Sequence, residues 1–195
     1  MKVAIDDQQV EWIDDTLEGI EYWWKCSTSR IYQDRRFIHF VEVNGKAVYE
    51  AYELYIVQNL QEVREINIHT LSVIESIQET EKALDEYLER FLPGALDVAD
   101  QLYGGLSSES QPLFRQLLEG LNWIVMSMQF ERELYAMVEY HANPEFLISA
   151  LSALENLHQE IMKAVENNDF TGVSDLLQYE VVPVLQQFQN RKKLS

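Results

Sequence analysis

The chain has 195 residues, 47% of them hydrophobic, with 15 Lys and Arg against 33 Asp and Glu, a formal net charge of −18. That length suits one globular domain, and 4 Trp, 10 Tyr and 8 Phe among the apolar residues exclude wholesale disorder. The excess of acid excludes a protein that works by neutralising phosphates, so neither nucleic acid nor an anionic membrane surface is an expected partner.

The start, MKVAIDDQQVEW, carries acids where a secretory leader needs a basic stretch and an apolar core. The single cysteine, Cys26, cannot close an intramolecular disulfide, and acidic residues interrupt every apolar run before it reaches membrane-spanning length. A soluble protein of the reducing cytoplasm is the expectation.

In chain order, residues 7–26 read as a first helix, with Val10, Ile13, Leu17, Ile20 and Trp24 on one stripe. FIHFVEV-NG-KAVYE follows as a β-hairpin, because Asn44-Gly45 supplies the pair of positive φ angles that a type I′ turn needs. Val48, Tyr52, Tyr55, Ile56 and Val63 then lie near one helical stripe, while Val63, Ile66 and Ile68 suit a third short strand, REINIHT.

Helical spacing dominates from Leu71 onward. Ser72-Val73-Ile74-Glu75 forms a capping box, and Ile74, Ile77, Leu84, Leu88 and Phe91 make the stripe until Pro93-Gly94, where the helix is expected to be interrupted. ALDVADQLY reads as a shorter helix. Ser108-Glu109-Ser110-Gln111 is a second capping box ahead of Leu113, Leu117, Leu121, Ile124, Met128, Tyr135 and Val138, a helix that could exceed 30 residues. Asn143-Pro144 starts the next helix, with Leu147, Leu151, Leu154, Ile161 and Val165 on its stripe, and Asn167-Asn168-Asp169 closes it. The last helix contains Pro183 and is expected to kink there. Arg191-Lys192-Lys193 sets cations at its C-terminal end, where the dipole favours them.

The fold class expected is therefore mainly α with a small α+β portion: a helix and hairpin cap over residues 1–69, then an antiparallel bundle of four to five helices over 70–195, read as one structural unit. LEGIEYWW at 17–24 echoes LEGLNWIV at 118–125, and Gly19 and Gly120 within them mark places where another element packs close.

Residues that carry chemistry are scattered. His39, His69, His141 and His158 show no HxxxH or HExxH spacing; Glu155 and His158 make one Glu-x-x-His, a weak metal candidate, since a di-iron bundle needs two such motifs and two further Glu. Glu50 and Glu53, with Glu62 and Glu65, match half of a Mg²⁺-binding ExxE pattern, with no basic or glycine-rich phosphate partner. Cys26 beside Lys25 lacks an inferable histidine, and the glycines form neither a GxxxxGK nor a GxGxxG loop. No cofactor and no catalytic residue is assigned.

Aromatics crowd the first 60 residues, and Arg30, Arg35 and Arg36 form a basic cluster beside them. An edge strand at Phe37–Val43, apolar on both faces, would offer backbone pairing and local positive charge, so Arg35, Arg36, Phe37, Phe40, Tyr52 and Tyr55 are the candidate interaction residues, toward an unknown protein partner or a second copy. In charge and helical bundle the chain resembles small acidic export chaperones of the bacterial cytosol, which wrap partner helices; the hairpin departs from the simplest of these. The expected function is a non-catalytic interaction, scaffold or chaperone-like module, with a metal-dependent enzyme using a carboxylate/His site in the bundle as the alternative.

Overall fold

A computed structural model describes residues 1–8, 10–138 and 145–193. The chain forms two compact units, Met1–Ser76 and Ile77–Ser195.

The first unit is built on a five-stranded sheet of β1 (Lys2–Ile5), β2 (Glu11–Trp12), β3 (Arg36–Val43), β4 (Lys46–Val48) and β5 (Glu65–Ser72), in the order β2-β1-β5-β3-β4. β1 runs parallel to β5, and the remaining neighbours are antiparallel. Register aligns Val3, Ile66 and Val43 in one row and Ile5, Ile68 and Val41 in the next. All six are buried, and they form the floor of a core completed by Ile20, Trp23 and Ile31 of α1 (Leu17–Gln33) and Ile56 of α2 (Tyr52–Gln58).

The Asn44-Gly45 turn has the expected positive angles, φ 50° and 80°. Its Asn44 also ties the hairpin to β5, accepting on Oδ1 from the amides of Arg64 and Glu65. The segment REINIHT is the sheet's longest-range strand, pairing with both β1 and β3.

The N-terminal helix differs from the expectation. Residues 2–5 and 11–12 are strands, and the helix starts only at Leu17, where the Thr16 hydroxyl accepts from the Gly19 amide at 3.1 Å. The Val10-to-Trp24 stripe is real only from Leu17 onward, because Asp14-Asp15-Thr16 supplies a cap that terminates any helix before it. At the other end Asp34 caps the helix and Arg35 takes the left-handed conformation, φ 52°, that often follows a helix.

The second unit is helical: α3 (Val73–Leu102), whose first turn lies in the first unit, α4 (Ser110–Ala136), α5 (Glu145–Glu166), α6 (Phe170–Leu176) and α7 (Val182–Gln189). Leu84, Leu88 and Phe91 of α3 meet Leu117, Leu121 and Ile124 of α4, Leu151 and Leu154 of α5, and Val173, Leu185 and Phe188 beyond. The capping box at Ser72 is present: its amide donates to Glu75 Oε2 at 2.7 Å, and the Glu75 amide donates to its hydroxyl at 3.3 Å.

Three expectations are corrected here. α3 continues through Pro93, because the ring sits on the exposed side while Leu92 and Ala95 keep the buried stripe unbroken. The start of α4 is held by Ser107 and Ser110, the Ser110 amide donating to the Ser107 hydroxyl at 3.0 Å and the Ser107 amide to the Ser110 hydroxyl at 2.9 Å, one position earlier than the expected box. Of the expected stripe residues Ile74 and Leu113 are exposed, and Phe114 fills the core in place of Leu113. Pro183 falls in the first turn of α7 after a π-helical turn at Leu177–Val181, which accommodates the missing donor by widening the helix. His141 and the Asn143-Pro144 start lie outside the described residues.

Gly120 is a close-packing position: a Cβ there would lie 3.2 Å from the Phe91 ring of α3. Gly19 packs instead on its own cap, where a Cβ would lie 2.8 Å from the Asp14 carbonyl oxygen. Among the described residues no helix is long and apolar enough to cross a membrane.

Candidate interaction site

Arg36 is committed within the first unit. Its Nε donates to the Thr70 hydroxyl at 2.6 Å, its Nη2 donates to the Thr70 carbonyl at 3.1 Å, and it stands 3.6 Å from Asp6 Oδ2. Asp6 in turn accepts from the Thr70 amide and from the Thr70 hydroxyl, both at 2.7 Å. Asp6 and Asp7 reach this position through left-handed angles, φ 50° and 61°. The network borders a polar cavity of about 460 Å³ that Arg30 and Asp34 also line.

The other candidate interaction residues are distributed across the unit. Phe37 is half-buried, and Phe40 stacks on His69 with ring centroids 4.3 Å apart. Tyr52 lies 6.3 Å from the Trp24 ring, and burial, with the charges of Tyr32 and Glu50, pushes its hydroxyl pKa up. The Tyr55 ring receives the Lys46 ammonium at 5.1 Å. β3 is flanked by β5 along its length and by β4 at Val41–Val43, so the expected edge strand lies inside the sheet over those residues.

Over residues 36–40 β3 has no strand on its outer side among the described residues, as expected of an edge. The edge at the opposite end of the sheet is β2, and it borders a groove. Glu11, Trp12 and Asp14 line one side of a cavity of about 570 Å³, and Tyr22, Trp23 and Cys26 of α1 line the other. Trp23 is buried and closes the floor, packing edge to face on Trp24 at 6.3 Å. Trp12 and Tyr22 are 78% and 74% exposed, the two most solvent-accessible large apolar side chains among the described residues. Neither was singled out by spacing, because a helix over residues 7–26 would have set both on one element. The legible signal was the Asp14-Asp15-Thr16 cap, which separates the strand from the helix and so creates the groove.

The chemistry-bearing candidates do not converge. Glu155 accepts from Gln129 Nε2 at 3.0 Å on the exposed side of α5, with His158 one turn on. Among the described residues no group of three or more His, Cys, Asp and Glu is placed to hold a metal ion. The helical core does contain a carboxylate that spacing did not flag, Glu131 of α4, 2% exposed. One turn further along, the Tyr135 hydroxyl donates to Glu81 Oε1 at 3.1 Å.

The architecture defines an acidic protein of two units, an α+β unit with an aromatic groove at its sheet edge and a helical unit whose largely apolar core also buries Glu131. Residues 79–191, more than half of the chain and nearly all of the helical unit, match the family described as a domain of unknown function, DUF8042, and the protein belongs to that family. No curated protein and no solved structure matches the chain.

Proposed function

We propose that this protein works by binding another protein, without catalysing a reaction on it, and that the α+β unit carries the contact surface. The observation that supports this most directly is the exposure of Trp12 and Tyr22 beside an aromatic-floored groove at the sheet edge. Trp and Tyr are the side chains on which interface energy concentrates, because each buries a large apolar surface at small entropic cost and keeps a polar handle. On this reading the helical unit is the scaffold. The protein acts in the reducing cytoplasm, and its net charge of −18 turns it away from nucleic acid and anionic lipid and toward a protein.

The test is affinity capture with the full chain as bait, run in parallel with a Trp12→Ala/Tyr22→Ala double variant whose helical content is checked by circular dichroism. A copurifying protein retained by the wild type and lost by the folded variant supports the reading. An identical set of proteins on both baits overturns it. So does stoichiometric Fe, Mn or Zn in protein purified without chelator, which would favour the metal-dependent alternative.

A further inference from the structure

We infer that the groove between β2 and α1 takes an extended peptide segment carrying Lys or Arg side chains. The inference rests on the interaction reading above and names the chemistry of its partner.

The backbone of the edge strand comes first. Met1 and Ile13 exchange both main-chain hydrogen bonds, Met1 N donating to the Ile13 carbonyl at 2.9 Å and the Ile13 amide donating to the Met1 carbonyl at 3.0 Å. Bonded and non-bonded pairs alternate along an antiparallel ladder. Lys2 and Trp12 are the next pair, so the N–H and C=O of Trp12 turn away from β1. β2 is the last strand in the sheet, and these two groups therefore point to its outer margin. An extended segment laid there gains a main-chain donor and acceptor at one fixed position, the usual basis of strand addition. β2 is only two residues long, which guards against indiscriminate edge pairing while permitting this single register.

α1 supplies the opposite wall. Gly19, Tyr22, Cys26 and Arg30 recur along the helix face that borders the groove. At about 1.5 Å per residue those eleven steps span roughly 16 Å, the length of about five extended residues.

Charge selects the occupant. Between Lys2 and Lys25 the chain has no Lys or Arg, and it has Asp6, Asp7, Glu11, Asp14, Asp15, Glu18 and Glu21. Glu11 and Asp14 line the groove itself, and the exposed Tyr22 ring offers a π face to a cation. Arg30 closes the far end, so the cationic side chains of the segment belong at the Gly19 end. A second copy pairing through β2 would bring the same acids against one another, and like charges across an interface oppose association.

The experiment screens displayed random decapeptides against the full chain and titrates the enriched sequences as synthetic peptides. Enrichment of Lys or Arg at alternate positions among β-branched residues is expected. Bound peptide should slow alkylation of Cys26, the sole cysteine, because the thiol lies in the groove. Glu11→Gln and Asp14→Asn should each weaken binding about two- to fivefold, the range of partly solvated ion pairs. Trp12→Pro should abolish it while leaving the fold intact, since the Trp12 amide takes no part in the ladder to β1.

Enriched peptides that are neutral or acidic, Cys26 alkylation unchanged by bound peptide, or unchanged binding in Glu11→Gln/Asp14→Asn would overturn the inference. Protection of Cys26 that grows with the protein's own concentration would overturn it in favour of a second copy. A screen without enrichment, alongside a captured partner still lost by Trp12→Ala/Tyr22→Ala, defeats this inference and leaves the interaction reading standing. Failure of both defeats both.

Discussion

Gly120 of α4 packs tightly against the ring of Phe91 of α3: a Cβ would lie 3.2 Å from Phe91 Cε2 and would displace the Tyr87 hydroxyl. The crossing lies inside the buried cluster of the helical unit, where Phe91 and Leu121 are both part of the core. Gly120→Leu is expected to lower stability by about 1–3 kcal/mol through overpacking. The check is thermal unfolding followed by far-ultraviolet circular dichroism, with an unchanged midpoint counting against the close crossing.

Pro93 sits on the exposed side of α3, in the interior of a 30-residue helix. Its ring denies the Glu89 carbonyl an intrahelical donor, on a side of the helix where Glu89 is exposed to solvent. Pro93→Ala restores the donor but also loosens the unfolded chain. With about 3 kcal/mol of helix propensity gained and up to about 1 kcal/mol lost through unfolded-state entropy, a net stabilisation is expected. A lower unfolding midpoint in this variant would show that the proline sets a bend on which the core packing depends.

Features written in a few adjacent residues were legible in the sequence. The Asn44-Gly45 turn and the Ser72–Glu75 capping box each need only a short stretch of chain to be satisfied, and both formed as the residues indicated. β1 was not legible, because Lys-Val-Ala-Ile is four residues long and becomes a strand only by pairing with a segment 63 residues away, where Lys2 meets Glu65. Nor was the groove, which depends on residues 11–14 folding back beside a helix that starts at Leu17. The apolar stripe Val10–Trp24 has helical spacing by coincidence over its first half, and local capping at Thr16 decided against it. Arg36 has the look of a binding residue in the sequence, and the positive-φ turn at Asp6-Asp7 that brings it a partner cannot be read from spacing.

The Tyr135 hydroxyl carries a pH dependence of the helical unit. Burial, then the charge of Glu81 and the hydrogen bond to it, push its pKa from 10.0 to about 12. Below pH 10 the hydroxyl is neutral in folded and unfolded chains alike, and its contribution to stability is complete. As pH rises from 10 toward 12 the unfolded chain ionises first, so that contribution is lost across this window. Tyr135→Phe removes both the hydrogen bond and the titration. The variant should be less stable than wild type at neutral pH, and the gap should narrow above pH 10. Denaturant midpoints measured on either side of pH 10 check this, and a gap that stays constant would place the alkaline sensitivity elsewhere.

The last expectation separates a structural arginine from a binding one. The Thr70 hydroxyl donates to Asp6 at 2.7 Å and accepts from Arg36 at 2.6 Å, so one buried group satisfies both an acid and a base. Thr70→Val keeps the shape and removes both bonds, leaving a carboxylate oxygen and a guanidinium N–H short of a partner. A loss of about 1–3 kcal/mol is expected. Charge reversal at Arg36 should cost more, because it sets a third carboxylate beside Asp6 and Asp34, which border the same cavity. Both variants should therefore speed hydrogen exchange at the β5 amides, the Thr70 amide among them, since that amide is held by Asp6. Weaker partner binding by an Arg36 variant then follows from a loosened sheet. The opposite result, normal exchange in β5 together with lost binding, would return Arg36 to the interface and show that the contact surface extends beyond the groove at β2.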